Sequence, residues 1–173
     1  MSREFNAAVK RRFAEALPAV APAFAATLKG PKPWACPGEA AYSWAVDAGR
    51  RAWIILVPSL KGYNEFTVEL GWSRRGRYPE LGMRPSPVGP TRDRGEWAQE
   101  EYLCRLHALA PEVPEWWRVA PGRDPADLLA DAQAMTATLT RDEAEAAAAP
   151  LVAAALAALQ AHGVPYLAAW AAA

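Results

Sequence analysis

The sequence contains little of what metal binding or thiol catalysis requires. It has two cysteines, Cys36 and Cys104, and two histidines, His107 and His162. The cysteines lie 68 positions apart and form no CxxC pair. A tetrahedral metal site needs more ligands than these residues bring together along the chain. We therefore expect two reduced thiols, no metal site and no cofactor.

Motifs of the common catalytic sites are missing as well. The sequence contains no Gly-rich phosphate-binding loop and no GxSxG, HExxH or DxDxDG pattern. The acidic pairs Glu100-Glu101 and Asp142-Glu143 are adjacent residues, which do not face each other on a helix and so favour solvation or capping over acid–base work. We assign no catalytic residue, and we favour the interpretation that the protein is not an enzyme.

The sequence shows neither a secretion signal nor an uninterrupted membrane span. Alanine supplies 16 of the 30 residues in the apolar stretch 144–173, which Glu145, Pro150 and Pro165 interrupt. The first residues lack the compact apolar core and cleavage site of a secretory signal. We expect a cytoplasmic protein that does not enter a membrane.

Aromatic residues and alanine are abundant. Alanine fills 40 of the 173 positions, whereas Leu, Ile, Val and Phe together fill 32. Eight Trp, five Tyr, four Phe and a formal net charge of zero nevertheless argue against disorder, which goes with high net charge and few aromatics. Arginine outnumbers lysine 15 to 4, which together with the Ala, Pro and Gly content indicates GC-rich bacterial coding. The length favours one domain, residues 1–173.

Residues 1–73 predict helices followed by strands. Apolar residues recur at the helical period from Phe5 to Val20, and Pro18 and Pro22 predict a break or kink near Leu17. A second short helix is predicted to end at Gly30. Residues 34–73 change to a period of 2 and predict a β-meander, with a hairpin turn at Asp47-Ala48-Gly49. In its last strand the residues predicted to face the core are Phe66, Val68, Leu70 and Trp72. Those predicted to face water are Glu65, Thr67 and Glu69.

Residues 74–119 are predicted to form a long loop and a further strand. The loop, residues 74–94, carries six arginines, four prolines and three glycines. It is longer than compact domains usually contain. Residues 100–119 predict a fourth strand and a Trp116-Trp117 segment, with a helix as the alternative for residues 100–109. On a strand, Cys104 and His107 would lie on opposite faces, which argues against a catalytic pair.

Residues 124–170 predict helices. Asp124 is placed as a helix N-cap, Thr140 and Glu143 match a capping box, and Gly163 is predicted to stop a helix. The order of elements predicts an α+β fold with an N-terminal helix, an antiparallel sheet of about four strands, and C-terminal helices packed on one face. The side chains predicted to be mainly buried are Trp44, Trp53, Phe66, Val68, Leu70, Leu128, Leu139, Leu156 and Leu159.

Five short segments follow one another in a characteristic order along the chain. They are Trp53 to Val57, Phe66-Thr67-Val68-Glu69-Leu70-Gly71, Tyr102 to Leu106, Trp116-Trp117 and Gly163 to Leu167. This layout resembles an uncharacterised bacterial family of small α+β proteins, over the range from Phe5 to Trp170. The resemblance implies a fold and brings no activity, cofactor or partner with it.

The charge is unevenly distributed although it sums to zero. Residues 1–73 carry +3, residues 74–94 carry +4 and residues 95–173 carry −7. Guanidinium groups pair with carboxylate or phosphate and stack on aromatic rings, so the basic loop predicts an anionic partner. The alternative is that this loop pairs with the acidic C-terminal helices of the same molecule. Zero net charge argues against nucleic acid, whose binding domains are basic.

The sequence thus predicts a non-catalytic binding protein that contacts another protein through the Arg-rich loop and aromatic residues. One alternative is a small-molecule-binding protein or enzyme with a pocket between sheet and helices, and another is nucleic-acid binding through the loop from Arg74 to Arg94. At least one indole of Trp116-Trp117 is expected to anchor the core. The candidate binding residues are Arg74, Arg75, Arg77, Arg84, Arg92, Arg94, Trp72, Trp116, Trp117 and Arg118.

Overall fold

In the computed structural model, an N-terminal helix and C-terminal helices pack on one face of an antiparallel sheet. The structure describes residues 2–24, 26–27, 39–78, 99–119 and 128–173. The helices are α1 (Arg3–Val20), α2 (Leu128–Thr136), α3 (Arg141–Ala158) and α4 (Val164–Ala172). The strands are β1 (Ala26–Thr27), β2 (Ala40–Ala45), β3 (Arg51–Pro58), β4 (Glu65–Ser73), β5 (Glu101–Arg105) and β6 (Trp117–Arg118). The predicted α+β class is confirmed.

The sheet is a meander with two short strands added. Its order is β1-β2-β3-β4-β5, and β6 pairs with the part of β4 that precedes the β5 contact. The predicted turn between β2 and β3 is present, because Asp47 Oδ1 accepts hydrogen bonds from the backbone N–H groups of Gly49 (2.9 Å) and Arg50 (2.7 Å). The strand prediction for residues 100–109 is confirmed for β5, after which the chain forms a 3₁₀ turn, Leu106–Leu109.

The N-terminal region differs from its prediction in two places. α1 continues through Pro18 to Val20 without the predicted break, because its buried stripe keeps the last turn packed on the core. The predicted second helix is wrong, since Ala26 and Thr27 pair with β2 as a strand. Pro22 lies in the turn before this strand, and Gly30 lies outside the described residues.

The core lies between the helices and the inward face of the sheet. Phe66, Val68, Leu70 and Trp72 of β4 all belong to it, as predicted from the period of 2. The predicted buried residues that are confirmed are Trp53, Phe66, Val68, Leu70, Leu156 and Leu159. Trp44 and Leu139 are partly buried against the core, and the side chain of Leu128 lies outside the described residues.

The second face of β4 is buried, so the prediction that it faces water is wrong. Glu65, Thr67 and Glu69 are each less than 9% exposed. Glu65 Oε2 lies 3.5 Å from Arg118 Nε, and Glu69 Oε1 lies 3.9 Å from Arg105 Nε. Alternating polarity places these side chains on one face, but it does not show whether that face is buried. A carboxylate can be buried when an arginine pairs with it.

The C-terminal helices are continuous past Gly163, where the sequence predicted a stop. The capping box of Thr140 and Glu143 is confirmed, while Asp124 lies outside the described residues. α3 passes through Pro150 without ending, and a π-helical turn, Leu159–Gly163, joins it to α4. The predicted stop at Gly163 is therefore wrong.

Gly163 allows close packing instead of ending a helix. A Cβ atom at this position would lie 2.7 Å from Leu159 Cδ1, 3.1 Å from Leu106 Cδ1 and 3.2 Å from Leu70 Cδ1. These three leucines are fully buried, so none has free space to move into. The absent side chain lets the π turn rest on the sheet.

We expect Gly163→Ala to destabilise the protein by about 1 kcal/mol, because overpacking of about 1–3 kcal/mol outweighs a gain in helix propensity of about 1 kcal/mol. The free energy of unfolding in urea measures the effect. The exposed Ala161 of the same turn supplies the control, since Ala161→Gly changes propensity alone. A Gly163→Ala variant more stable than wild type would contradict the packing role.

The continuous helix Arg141–Ala172 is long and apolar enough to cross a membrane by length and composition. It is 32 residues long, its most apolar window has a mean hydropathy of 1.5, and a third of that window is buried. Within the fold, α3 packs along α1, and Trp170 of α4 belongs to the core. The expectation that the chain stays out of membranes remains a prediction.

Candidate functional site

Five arginines lie at one end of the sheet, where β3 begins and β4 ends, and they are distributed over both of its faces. Arg51 of β3 lies opposite Ser73, the last residue of β4. The hairpin turn before β3 also touches the turn after β4, since a Cβ at Gly76 would lie 3.6 Å from the Ala48 carbonyl oxygen. We call the following residues the arginine corner: Arg50, Arg51, Arg74, Arg75 and Arg77.

Two members of the corner lie against the end of α4. Arg50 donates from Nη1 to the Ala171 carbonyl oxygen (3.2 Å) and from Nε to Asp47 Oδ2 (2.6 Å). The guanidinium carbon of Arg74 lies 5.8 Å from the ring centre of Trp170. Cations are favoured at this place because the C-terminus of a helix carries the negative end of its dipole.

Arg51 lies on the other face of the sheet and is held by two neighbours. It donates from Nη1 to Ser43 Oγ (3.2 Å), and its guanidinium carbon lies 5.7 Å from the ring centre of Trp53. No carboxylate pairs with Arg51 among the described residues. The Trp53 indole N–H is buried and has no hydrogen-bond partner among those same residues.

The remaining two arginines pair with the acidic residues at the start of β5. Arg75 Nε lies 3.4 Å from Glu100 Oε2, and Arg77 Nε donates to Glu101 Oε1 (3.1 Å). Ser73 Oγ also donates to Glu101 Oε1 (3.1 Å), which holds this carboxylate against the sheet. The side chains of Arg75 and Glu100 are more than half exposed. Such surface pairs contribute about 0–1 kcal/mol, so a partner can exchange them easily.

Three carboxylates among the described residues pair with members of the corner, those of Asp47, Glu100 and Glu101. The pKa of Asp47 is lowered to about 2, first by its side-chain hydrogen bond with Arg50 and then by the backbone N–H groups of Gly49 and Arg50. Asp47 is therefore ionised at neutral pH.

The predicted binding residues are only partly brought together. Arg74, Arg75 and Arg77 belong to the corner, while Arg84, Arg92 and Arg94 lie outside the described residues. Arg75 pairs with Glu100, which precedes β5, and Arg77 pairs with Glu101 of β5. The alternative that the loop pairs with the acidic C-terminal helices stays a prediction. The acidic Glu145 of α3 pairs with Arg11 and Arg12 of α1.

Two predicted binding tryptophans are core residues. Trp72 is fully buried on the inward face of β4, stacked on Tyr102 with ring centres 4.6 Å apart. Trp117 is buried and stacks on Phe66 at 5.7 Å, which confirms that one indole of the pair anchors the core. Neither ring is presented to solvent, so the assignment of these two residues to a binding surface is corrected.

Trp116 and Arg118 lie at the opposite end of β4. Arg105 lies over the half-buried Trp116, 5.2 Å from its ring centre, and Arg118 pairs with Glu65. Glu65 precedes Ser73 by eight residues along β4, which is roughly 26 Å of strand. These two predicted residues therefore form a separate cluster.

Sequence reasoning missed Arg50 and Arg51. They stand isolated at the start of a strand, and only the pairing of β3 with β4 places them beside Arg74. A signal was present in the strand prediction, because a hairpin brings the start of one strand to the end of the next.

Thiol chemistry has no support in the described part of the chain. Cys104 is fully buried in β5, and burial, followed by the charge of Glu69, raises the pKa of its thiol far above the ordinary value. His107 lies beyond β5 in the 3₁₀ turn. No group of three or more His, Cys, Asp or Glu residues with metal-binding geometry occurs among the described residues.

No family model, curated protein or solved structure matches the chain. Its function is therefore inferred from the chemistry of the arginine corner.

Proposed function

We propose that the chain is a non-catalytic binding protein that contacts another protein through the arginine corner. The observation that carries the proposal is the placement of five arginines at one end of the sheet, two of them lying over indole rings. Arginine and tryptophan are enriched among the residues that dominate protein–protein binding energy. A guanidinium resting on a ring is already oriented, so less conformational entropy is lost on binding.

The charge of the surroundings favours a protein over a nucleic acid. Three carboxylates are interleaved with the arginines of the corner. Residues 95–173, which include Glu100 and Glu101, carry a formal charge of −7. A long polyanion would meet these acidic groups, whereas a protein surface can present a few carboxylates where the arginines are.

Replacing Arg74, Arg75 and Arg77 together by alanine is expected to abolish partner capture. The test is a pull-down from the lysate of a GC-rich bacterium with the immobilised protein, followed by comparison of the captured proteins. Recovery of the same partners in the same amounts by wild type and the triple variant would refute the proposal.

A matched control removes three positive charges elsewhere on the surface. Arg3, Lys61 and Arg141 are exposed and lie outside the corner. Their simultaneous replacement by alanine is expected to leave capture unchanged, so an effect of net charge alone is separated from an effect of the site. Thermal unfolding of each variant verifies that it is folded.

A further inference from the structure

We propose that the arginine corner binds an acidic peptide segment of the partner protein and that Arg51 receives one of its carboxylates. This inference rests on the proposed function and adds the chemistry of the partner. Arg51 was not among the residues that the sequence singled out, so its role comes from the geometry of the folded chain.

Arg51 is oriented for a carboxylate that the described part of the chain does not supply. Ser43 Oγ accepts a hydrogen bond from one terminal nitrogen, and the guanidinium carbon lies 5.7 Å from the ring centre of Trp53. The other N–H groups of the guanidinium have the planar fork geometry that binds the two oxygens of a carboxylate. Arg50, Arg75 and Arg77 each have such a partner, whereas Arg51 has none among the described residues.

Trp53 provides a second observation that indicates an acceptor. Its indole N–H is a donor, the side chain is 1% exposed, and no acceptor for it occurs among the described residues. A buried donor without an acceptor is unfavourable. The Arg51 guanidinium, which pairs with no carboxylate among the described residues, lies over the same ring.

The exposed pair of Arg75 and Glu100 extends the same surface. Arg75 donates its backbone N–H to Ser73 Oγ (3.0 Å), and Ser73 lies opposite Arg51 in the strand register. Because Glu100 is largely exposed, an incoming carboxylate can replace it on Arg75 with little loss. A segment with several acidic residues would therefore engage Arg51 and Arg75 together.

Binding of a defined probe tests this partner chemistry. The probe is a fluorescein-labelled hexaglutamate peptide, titrated by fluorescence anisotropy at about 50 mM salt, with a mixed-sequence oligonucleotide of equal charge as the competing class. We expect saturable binding of the peptide and much weaker binding of the oligonucleotide.

The decisive variant is Arg51→Lys, which keeps the charge and removes the planar fork. We expect it to weaken peptide binding about tenfold, and Arg51→Ala at least as much, because a lysine cannot reproduce the bidentate contact or the stacking on Trp53. Arg3→Lys, an exposed arginine of α1, is the matched control and should bind like wild type. Unchanged thermal midpoints verify that the Arg51 variants remain folded.

Three results would overturn the inference: no peptide binding, equal affinity for the oligonucleotide, or equal peptide affinity of wild type and Arg51→Lys. The pull-down separates this failure from failure of the proposed function. If the alanine variant of Arg74, Arg75 and Arg77 loses its partners but the peptide does not bind, the corner is an interface for a partner of different chemistry. If the variant loses none, the proposed function itself fails.

Discussion

Replacing Trp170 by alanine is expected to reduce the free energy of unfolding by about 3–5 kcal/mol, the range for removing a large buried aromatic side chain. Trp170 is fully buried in α4. Its ring centre lies 5.6 Å from that of Trp72, and the Arg74 guanidinium lies over it. The alanine variant loses this packing and leaves a cavity between α4 and β4.

Urea unfolding followed by circular dichroism measures the loss, provided that the transition is two-state. Trp170→Phe should be less harmful, because a ring remains and the indole N–H has no hydrogen-bond partner to lose among the described residues. Leu129→Ala is the control, since Leu129 is 73% exposed and its truncation should change stability by less than about 0.5 kcal/mol. Equal effects of Trp170→Ala and Leu129→Ala would show that α4 does not pack on the sheet.

Replacing Asn64 by leucine should reduce the free energy of unfolding by about 3 kcal/mol, because three side-chain hydrogen bonds of about 1 kcal/mol each are lost. Asn64 is fully buried in the turn between β3 and β4. Its Oδ1 accepts from the Ser2 backbone N–H (2.8 Å), and its Nδ2 donates to the carbonyl oxygens of Ala137 (2.9 Å) and Ala134 (3.3 Å). The side chain thus joins the start of α1 to the end of α2.

The isosteric variant Asn64→Asp separates hydrogen bonding from shape. Its carboxylate can still accept from Ser2, but it cannot donate to the two carbonyl oxygens. We expect it to be destabilised as well, with faster amide hydrogen exchange in α2, the element that those bonds hold. If the amides of α2 exchanged as slowly in both variants as in the wild-type protein, this role of Asn64 would be contradicted.

Elements defined by short-range patterns could be predicted from the sequence. The alternation in β4 selected Phe66, Val68, Leu70 and Trp72 as its inward face, because successive strand residues point to opposite sides whatever packs on them. The capping box of Thr140 and Glu143 is equally local, since both partners lie within one helical turn. The order of α1, the meander and the C-terminal helices also followed from helical and strand periodicities. That order predicted the α+β class.

The sequence predicted only part of the candidate site, because its patterns are local. The Arg-rich sequence after β4 pointed to Arg74, Arg75 and Arg77, but it contains no information on which strand end lies beside them. The register of β3 on β4 places Arg50 and Arg51 at the site. Trp72 does not belong to the site, because its ring faces α4.

By itself, the sequence determined the periodic elements, their order and the inward faces, since these depend on residues within one or two turns of each other. The tertiary structure alone decided whether a face is covered and what a glycine or proline does. Gly163 is a typical helix stop in sequence, but the approach of Leu70 and Leu106 makes it a packing position inside a continuous helix. The polar face of β4 is buried, and Arg105 and Arg118, distant in sequence from β4, pair with its two carboxylates. Contacts of this kind depend on long-range geometry, which a local pattern does not contain.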